Sequence, residues 1–228
     1  MLEEYDGVLM AAHELKAPLA VLRQLAFAFD GAGPYDEHVR AQMISVSERA
    51  IRQVNDLTRL RRLEDGLFKM EPVAVREVCD AVFQELLTLY NQNGQKIKVR
   101  YSNRRRLVTA NRELLFSVVY NFLINALHYS NAGETTEMEV CDYKDKVKVA
   151  VRDFGPALPV KVWRDLKTGK LERPTEIAMR PGSSGLGLYI ASQFSAYMHA
   201  EIGAIRHRDG ASFYVNIPIS KQASLFQL

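Results

Sequence analysis

The chain has 228 residues, of which 47% are hydrophobic and 25% charged, a composition typical of a globular protein and unlike that of a disordered or collagen-like chain. Its net charge of +3 is too small to indicate a nucleic-acid-binding protein, and we interpret its one dense basic run, Arg104–Arg106, as a solvated turn. No stretch approaches the roughly 18 apolar residues that a membrane-spanning helix needs. We therefore expect a cytoplasmic protein, or the cytoplasmic part of a membrane-bound protein, with no membrane segment in this chain.

Apolar residues near the start of the chain recur at alternating spacings of four and three. They are Val8, Ala12, Leu15, Leu19, Leu22, Ala26 and Phe29. This pattern predicts a long helix that packs against other helices. Turn-forming residues at Asp30–Pro34 end the pattern, and a second apolar seam runs from Val39 to Leu60. The sequence thus predicts an antiparallel helical hairpin.

Two helices alone cannot enclose two apolar seams. A symmetric homodimer would bury them in a four-helix bundle, and the alternative is that the hairpin packs against the rest of the chain. We favour the dimer. We expect Gly66 to end the second helix, so that residues 1–66 form a dimerisation domain. Residues 67–72 are predicted to be an extended linker, since Pro72 disfavours helix in the residue before it.

Residues 73–220 carry a mixture of helical and alternating patterns, and 221–228 are predicted to be a tail. The predicted helices are Val73–Tyr90, Asn111–Tyr129 with Asn111 as the cap, and Gly185–His199; the predicted strands are Lys96–Tyr101, Leu107–Thr109, a hairpin within Val140–Val151, and a second hairpin of Ala204–Arg208 and Ser212–Ile217. This order predicts an α+β fold, with helices on one face of a largely antiparallel sheet. The poorly periodic stretch between Pro156 and Ser184 is long enough to indicate a nucleotide lid.

Asn121 and Asn125 are four residues apart, so they share one face of an otherwise apolar predicted helix. Amide side chains in that position are costly unless they are paired. One interpretation is a pair of buried amides that bind backbone. The other is an oxygen-ligand site for a hard cation such as Mg²⁺, which keeps most of its waters and phosphate ligands and needs few protein groups. The residues alone leave both open.

Two glycine-containing segments adjoin predicted elements. The first follows a predicted strand, and the second precedes a predicted helix. Asp153-Phe154-Gly155 comes after an alternating run, where the aspartate is either a turn-former or an acceptor for an exocyclic amine such as that of adenine. Gly182–Leu188 leads directly into a helix, and small residues at a helix N-terminus expose backbone N–H groups to an anion. This second segment is the strongest isolated phosphate signal in the chain.

His13 and Glu14 lie within the first apolar seam, one turn before Pro18. A histidine and a carboxylate side by side on a helix are, on their own, typical of a solvated surface pair. Histidine is nevertheless a competent nucleophile near neutral pH, because its unperturbed pKa is about 6.5. The role of this pair therefore depends on the rest of the chain.

Four segments, in this order, resemble the boxes of the two-component sensor histidine kinases. They are His13–Leu19 for the H-box, Asn121–Ala126 with Tyr129-Ser130 for the N-box, Asp153–Gly155 for the first glycine box and Gly185–Leu188 for the second. The linker around Arg62–Gly66 and Glu71–Val73, and the closing Gly210 with Phe213–Pro218, also look like that family. Single boxes are weak signals, but four in order over nearly the whole chain are specific.

The resemblance implies a dimerisation and phosphoacceptor hairpin followed by a Bergerat-type ATP-binding α/β sandwich. His13 would be the phosphoacceptor, and Glu14 the base that orients its ring. ATP and Mg²⁺ are the implied cofactors, and the implied partners are a second copy of the chain and the receiver domain of a response regulator. The implied metal ligands are Asn121 and Asn125. The implied nucleotide-binding residues are Asn121, Asn125, His128, Tyr129 (adenine stacking), Asp153 (adenine amino group), Gly155, Ser184, Gly185, Leu186 and Gly187.

The chain departs from the family pattern at several positions. Ala17 stands where the family usually has a threonine or asparagine that positions water for dephosphorylating the regulator, so we expect kinase activity and doubt phosphatase activity. His128 replaces a frequent lysine or arginine, which predicts modest nucleotide affinity. The other departures are Asn111 for aspartate, Ala157 and Ser183 for glycines, and Val162–Leu166 in place of a phenylalanine-rich box.

Three functional hypotheses remain. The first is an active ATP-dependent histidine kinase core; the second is a degenerate kinase that acts as a dimeric regulator-binding module; the third is an ATPase of the same nucleotide fold. The retained histidine, asparagine, aspartate and glycine residues favour the first. Only twelve residues precede His13, so we expect either a segment of a longer receptor or an input that arrives through another protein.

Overall fold

The computed structural model describes residues 2–29, 36–101, 106–168 and 185–221, with side chains from Leu15 onward. The chain divides into two compact units, Met1–Asp65 and Gly66–Leu228. None of the helices within the described residues combines the length and the hydropathy needed to cross a bilayer.

The first unit is the predicted helical hairpin. Helix α1 spans Leu2–Ala28 and continues through Pro18, and helix α2 spans Asp36–Arg62. Acidic residues in the first turn of α2 and arginines in its last turn complement the helix dipole. Most apolar side chains described in this unit are only half-buried or exposed; Val46 of α2 is an exception, at 7% exposure. The predicted turn at residues 30–34 lies outside the described residues.

The second unit contains the remaining described elements. In chain order they are β1 Glu71–Ala74, α3 Val75–Gln92, β2 Lys96–Tyr101, β3 Leu107–Ala110, α4 Arg112–Tyr129, β4 Thr135–Tyr143, β5 Lys146–Arg152, α5 Val160–Thr168, α6 Leu186–Tyr197, β6 Glu201–His207 and β7 Gly210–Pro218. Five of the strands form one sheet in the order β2-β4-β5-β7-β6, and β1 pairs with β3 in a small separate sheet. The pairs are antiparallel except β2 with β4, which is parallel. The predicted α+β fold is confirmed.

Alternation along the central strands decides which face of the sheet the helices cover. In β5 the residues Val147, Val149 and Val151 are buried, while the residues between them are half-buried. Helix α4 lies over this buried face, and Phe122 stacks on Phe213 of β7 with ring centroids 6.0 Å apart. Helices α3 and α6 pack against α4, so α4 is the central helix of the layer.

Two short elements correct the sequence-based assignment. The helix predicted from Val73 begins only at Val75, and Glu71 and Pro72 of the predicted linker belong to β1. A four-residue strand is too short to display alternation, and proline is tolerated because β1 pairs on one side only. The predicted lid stretch contains helix α5, whose Trp163 donates from Nε1 to the carbonyl of Ala204 in β6 at 3.1 Å.

Candidate active site

Helix α4 carries the two asparagines of the predicted cation site. The Asn111 side chain caps the helix by accepting from the N–H groups of Glu113 and Leu114, both at 3.1 Å. Asn121 is half-buried and donates from Nδ2 to the carbonyl and hydroxyl oxygens of Ser117, at 2.9 and 3.2 Å. These bonds orient the amide so that its Oδ1 atom points away from the Ser117 acceptors.

Asn125 lies one turn further along the same face of α4. Its side chain is half-buried and makes no hydrogen bond within the described part of the chain. The first interpretation of the sequence, in which both amides bind backbone groups, therefore does not hold for Asn125. Two amide oxygens one turn apart suit a hard cation that brings phosphate and water as its other ligands. Across the described residues, no group of three or more His, Cys, Asp or Glu side chains offers an alternative metal site.

The first turn of helix α6 lies against Asn121. A Cβ atom built on Gly187 would be 2.7 Å from Asn121 Oδ1, closer than real side-chain contacts come. A larger residue at this position would therefore displace the Asn121 amide. Gly185 precedes the helix in the left-handed conformation, with φ of 81°, and no side chain caps the helix. The buried Leu186 anchors the first turn, which presents a helix N-terminus beside the asparagine amide. Ser184 lies outside the described residues.

Asp153 follows β5 and is almost fully buried, at 1% exposure. Its Oδ1 atom accepts from the backbone N–H groups of Gly155 and Ala211, both at 3.1 Å. Its own N–H donates to the Ala211 carbonyl at 2.9 Å. A Cβ atom on Gly210 would lie 2.2 Å from the Asp153 carbonyl oxygen, so the β6–β7 turn closes tightly on the aspartate. The carboxylate is held rigidly on both sides.

The segment after Asp153 packs on the end of α4. A Cβ atom on Gly155 would lie 2.4 Å from the carbonyl oxygen of Tyr129, so this glycine also permits a contact that no other residue would. The Phe154 N–H donates to Ser130 Oγ at 3.3 Å. Tyr129 is half-buried, and its ring meets the exposed His128 ring edge-on, with centroids 5.4 Å apart.

An arginine borders this segment on the sheet side. The Arg152 guanidinium lies 4.7 Å from the centre of the Phe154 ring and 2.7 Å from the Asp209 carboxylate. Its hydrogen bond holds the pKa of Asp209 below its ordinary value, and burial together with the nearby guanidinium lowers the pKa of His207. The edge of the site therefore carries an ion pair between Arg152 and Asp209.

Helix α4 thus brings three of the four sequence motifs together: Asn121 meets the second glycine segment and Tyr129 meets the first. Sequence reasoning missed Ser117, although a polar residue one turn before Asn121 on the same face was a usable signal. His13 and Glu14 lie in helix α1, but their side chains are outside the described residues.

Comparison with known proteins agrees with this geometry. Residues 110–221 match the family model "Histidine kinase-, DNA gyrase B-, and HSP90-like ATPase". The alginate biosynthesis sensor protein KinB of Pseudomonas aeruginosa is 26% identical over 231 residues, which cover 94% of this chain and 37% of KinB. The second unit is thus similar to this ATPase family, and nearly the whole chain is similar to a sensor protein of the histidine kinase type.

Solved structures share the fold of this kinase core. The histidine kinase AdeS of Acinetobacter baumannii superposes with a TM-score of 0.63 at 19% identity, covering 92% of this chain and 98% of the AdeS chain. Full-length ShkA in complex with AMPPNP gives a TM-score of 0.63 at 20% identity, covering 95% of this chain and 46% of that one. The chain spans little more than a third of the length of KinB.

Proposed function

We propose that this chain is an ATP-dependent histidine kinase core, which phosphorylates its own His13 and passes the phosphoryl group to an aspartate of a response-regulator receiver domain. The observation that carries this proposal is the contact of α4 with both glycine segments. It brings the Asn121 amide within van der Waals reach of Gly187 and the end of the same helix against Gly155. One helix therefore borders both glycine segments, and we place the two ends of ATP beside them.

The adenine end is formed by Asp153 and Tyr129. In this proposal the buried carboxylate accepts a hydrogen bond from the adenine amino group, and the Tyr129 ring stacks on the base. Gly155 allows the segment after Asp153 to pack closely on Tyr129. The exposed His128 lies one residue away, and we propose that it is a weaker phosphate partner than lysine or arginine would be.

The phosphate end is formed by the asparagines and the start of α6. Asn121 and Asn125 fit Mg²⁺ because the Asn125 amide has no competing partner among the described residues and the Asn121 amide is oriented by Ser117. When bound, Mg²⁺ supplies charge neutralisation on the phosphate oxygens. Gly185, Leu186 and Gly187 add the backbone N–H groups of a helix N-terminus, and Ser184 is proposed to extend that turn.

The chemistry needs one nucleophile. A ring nitrogen of neutral His13 attacks the γ-phosphorus of ATP, so that an N–P bond forms as the bond to the β,γ-bridging oxygen breaks and ADP leaves. Glu14 accepts the hydrogen of the other ring nitrogen and stabilises the positive charge that develops on the ring. The phosphoryl group then moves to the receiver aspartate, which restores neutral His13. Because ATP is held in the cytoplasm, we propose that this segment works there.

We propose that the hairpin acts as a homodimer. Several of its large apolar side chains are exposed in a single copy: Leu19, Val21, Phe27, Phe29, Ile44, Ile51 and Val54. Leu19, a member of the first predicted seam, is 59% exposed, and Ile51 of α2 is 58% exposed. A symmetric four-helix bundle would cover such residues.

Incubation with γ-labelled ATP and Mg²⁺ tests the kinase activity. We expect a base-stable, acid-labile label on the protein that is absent from His13→Gln. The matched control is His38→Gln, which changes a histidine of α2 that the proposal does not use. A label that survives His13→Gln, or no label on the parent chain, contradicts the proposal. Phosphate release without labelled protein would instead identify an ATPase.

Ala17 sets the expectation for the reverse activity. Its methyl group is exposed on α1 and offers no hydrogen bond to a water, so we propose that phosphatase activity toward the regulator is weak. Ala17→Thr should raise the rate at which the phosphorylated receiver loses phosphate, measured with ADP present, and should leave labelling of His13 intact. An unchanged rate counts against this role for the position.

A further inference from the structure

A buried glutamine outside the four motifs is bonded to the end of helix α4. Gln95 lies between α3 and β2 and is 5% exposed. Its Nε2 atom donates to the carbonyl oxygens of Leu127 and Ser130, at 3.0 and 2.7 Å. The last carbonyls of a helix have no partner within the helix, so Gln95 satisfies acceptors that would otherwise be left unpaired.

These two carbonyls bracket the adenine end of the proposed site. Leu127 and Ser130 lie on either side of Tyr129 in the chain. Ser130 continues the connection, because its hydroxyl accepts from the Phe154 N–H at 3.3 Å. Phe154 is adjacent to Asp153. One side chain therefore fixes the helix end from which Tyr129 projects and, through Ser130, the segment that bears the aspartate.

The phosphate end is held by a different residue of the same helix. Tyr90 of α3 donates from its hydroxyl to the Leu123 carbonyl at 2.7 Å, one turn before Leu127. Leu123 and Leu127 lie on the face of α4 opposite Asn121 and Asn125. The two contacts from the α3 end are thus distributed along α4, with Tyr90 behind the asparagines and Gln95 behind the adenine contacts.

We infer that Gln95 is a positioning residue for the adenine subsite. It sets the spacing between the Tyr129 ring and the Asp153 carboxylate, and so determines how well the site distinguishes adenine from guanine, which carries an oxygen in place of the adenine amino group. The inference rests on the proposed function, since it deepens the assignment of that same site. It predicts that loss of the amide weakens nucleotide selection and spares phosphoryl transfer, because Ser117 holds the Asn121 amide and Tyr90 holds the part of α4 behind the two asparagines.

Gln95→Met is the test variant, because it keeps the length of the side chain and removes both donors. Autophosphorylation is measured over a range of ATP and of GTP, together with binding of each nucleotide at equilibrium. We expect the KM and Kd for ATP to rise about tenfold, a size typical of one or two lost hydrogen bonds. The preference for ATP over GTP should fall by a similar factor, with kcat within about twofold of the parent.

Two further variants separate positioning from general stability. Asn93→Ala is the matched control, because Asn93 Nδ2 donates at 2.8 Å to Leu89, a carbonyl of its own helix α3; it should keep the parent KM and base preference. Gln95→Lys supplies N–H donors again and should recover most of the ATP preference. If Gln95→Met does not fold, Ser130→Ala removes only the link to Phe154 and should give the same KM-limited change.

The outcomes distinguish this inference from the proposed function. A parent chain that binds no ATP overturns both. A parent chain that binds ATP, with a Gln95→Met or Ser130→Ala variant that keeps its base preference, overturns only the role of Gln95. The role of Gln95 is also overturned if a folded Gln95→Met variant shows a lower kcat together with a higher KM. It is overturned as well if Asn93→Ala loses as much preference for ATP over GTP as Gln95→Met does.

Discussion

The two units of the chain bury their apolar side chains to very different degrees. In the second unit the helices and the sheet contribute fully buried residues, among them Leu114, Phe122, Val149 and Phe194, each at 0% exposure. In the hairpin, by contrast, Phe27 is 83% exposed. The ATP-binding unit is enclosed by its own sheet and helices. The hairpin has one interhelical seam and leaves the rest of its apolar surface for another surface to cover.

This difference has a physical origin in architecture. A sheet with helices on one face encloses side chains from two layers, and α4 is covered by α3, α6 and the sheet. Two helices touch along a single line, so residues a quarter turn from that line stay in solvent. Burying a Leu, Ile or Phe side chain is worth about 1.5–3 kcal/mol. Several such residues on one hairpin provide enough free energy for self-association.

The largest expected effect is on the hydrophobic core of the second unit. Phe122→Ala should lower the free energy of unfolding of the second unit by about 3–5 kcal/mol, because it leaves a cavity against Phe213. Chemical denaturation followed by circular dichroism measures this. Phe27→Ala is the contrasting change, because an exposed phenylalanine contributes little to folding. The free energy of unfolding of the second unit in this variant should stay within about 0.5 kcal/mol of the parent value. Equal losses in the two variants would contradict the comparison.

The second prediction addresses the exposed apolar side chains of the hairpin, which we propose to lie in the dimer interface. Ile51→Asp places a carboxylate in both copies of the proposed dimer interface, so the dimer dissociation constant should rise by about a hundredfold or more. Sedimentation velocity over a concentration series measures it. The ATP affinity of the second unit should not change.

Ile51→Val is the matched control for that prediction, because it removes one methylene and keeps the apolar surface. It should weaken association by no more than about tenfold. A monomeric parent chain, or an Ile51→Asp variant that associates as tightly as the parent, would show that another surface covers the hairpin seam.

The sequence was most informative where a periodic pattern coincided with a capping or turn residue. The helix capped by Asn111 and the hairpin around Asp209-Gly210 both form where the pattern indicates. Strand β1 was missed because four residues show no periodicity, and α5 because only Val162 and Leu166 of its nine residues are buried. Local patterns identify long elements well and short ones poorly.

The site was predictable as a set of motifs but not as an arrangement. Nothing in the sequence gives the close approach of Gly187 to Asn121 or of Gly155 to Tyr129, because each contact joins residues that are far apart in the chain. Gln95 carried no signal at all, since a single glutamine between a helix and a strand is typical of a surface turn.

The smallest expected effect concerns the start of the central helix. Asn111 caps α4 through Oδ1 and donates from Nδ2 to the Lys69 carbonyl at 3.0 Å. Asn111→Ala should therefore lower the free energy of unfolding of the second unit by about 1 kcal/mol, measured in the same denaturation experiment as Phe122→Ala. Asn111→Asp keeps the cap acceptor and loses only the donor to Lys69, so it should cost less than half as much. If both variants lose the same amount, the bond to Lys69 and not the cap stabilises this helix end, and α4 would depend on the segment before β1 as well as on its own core.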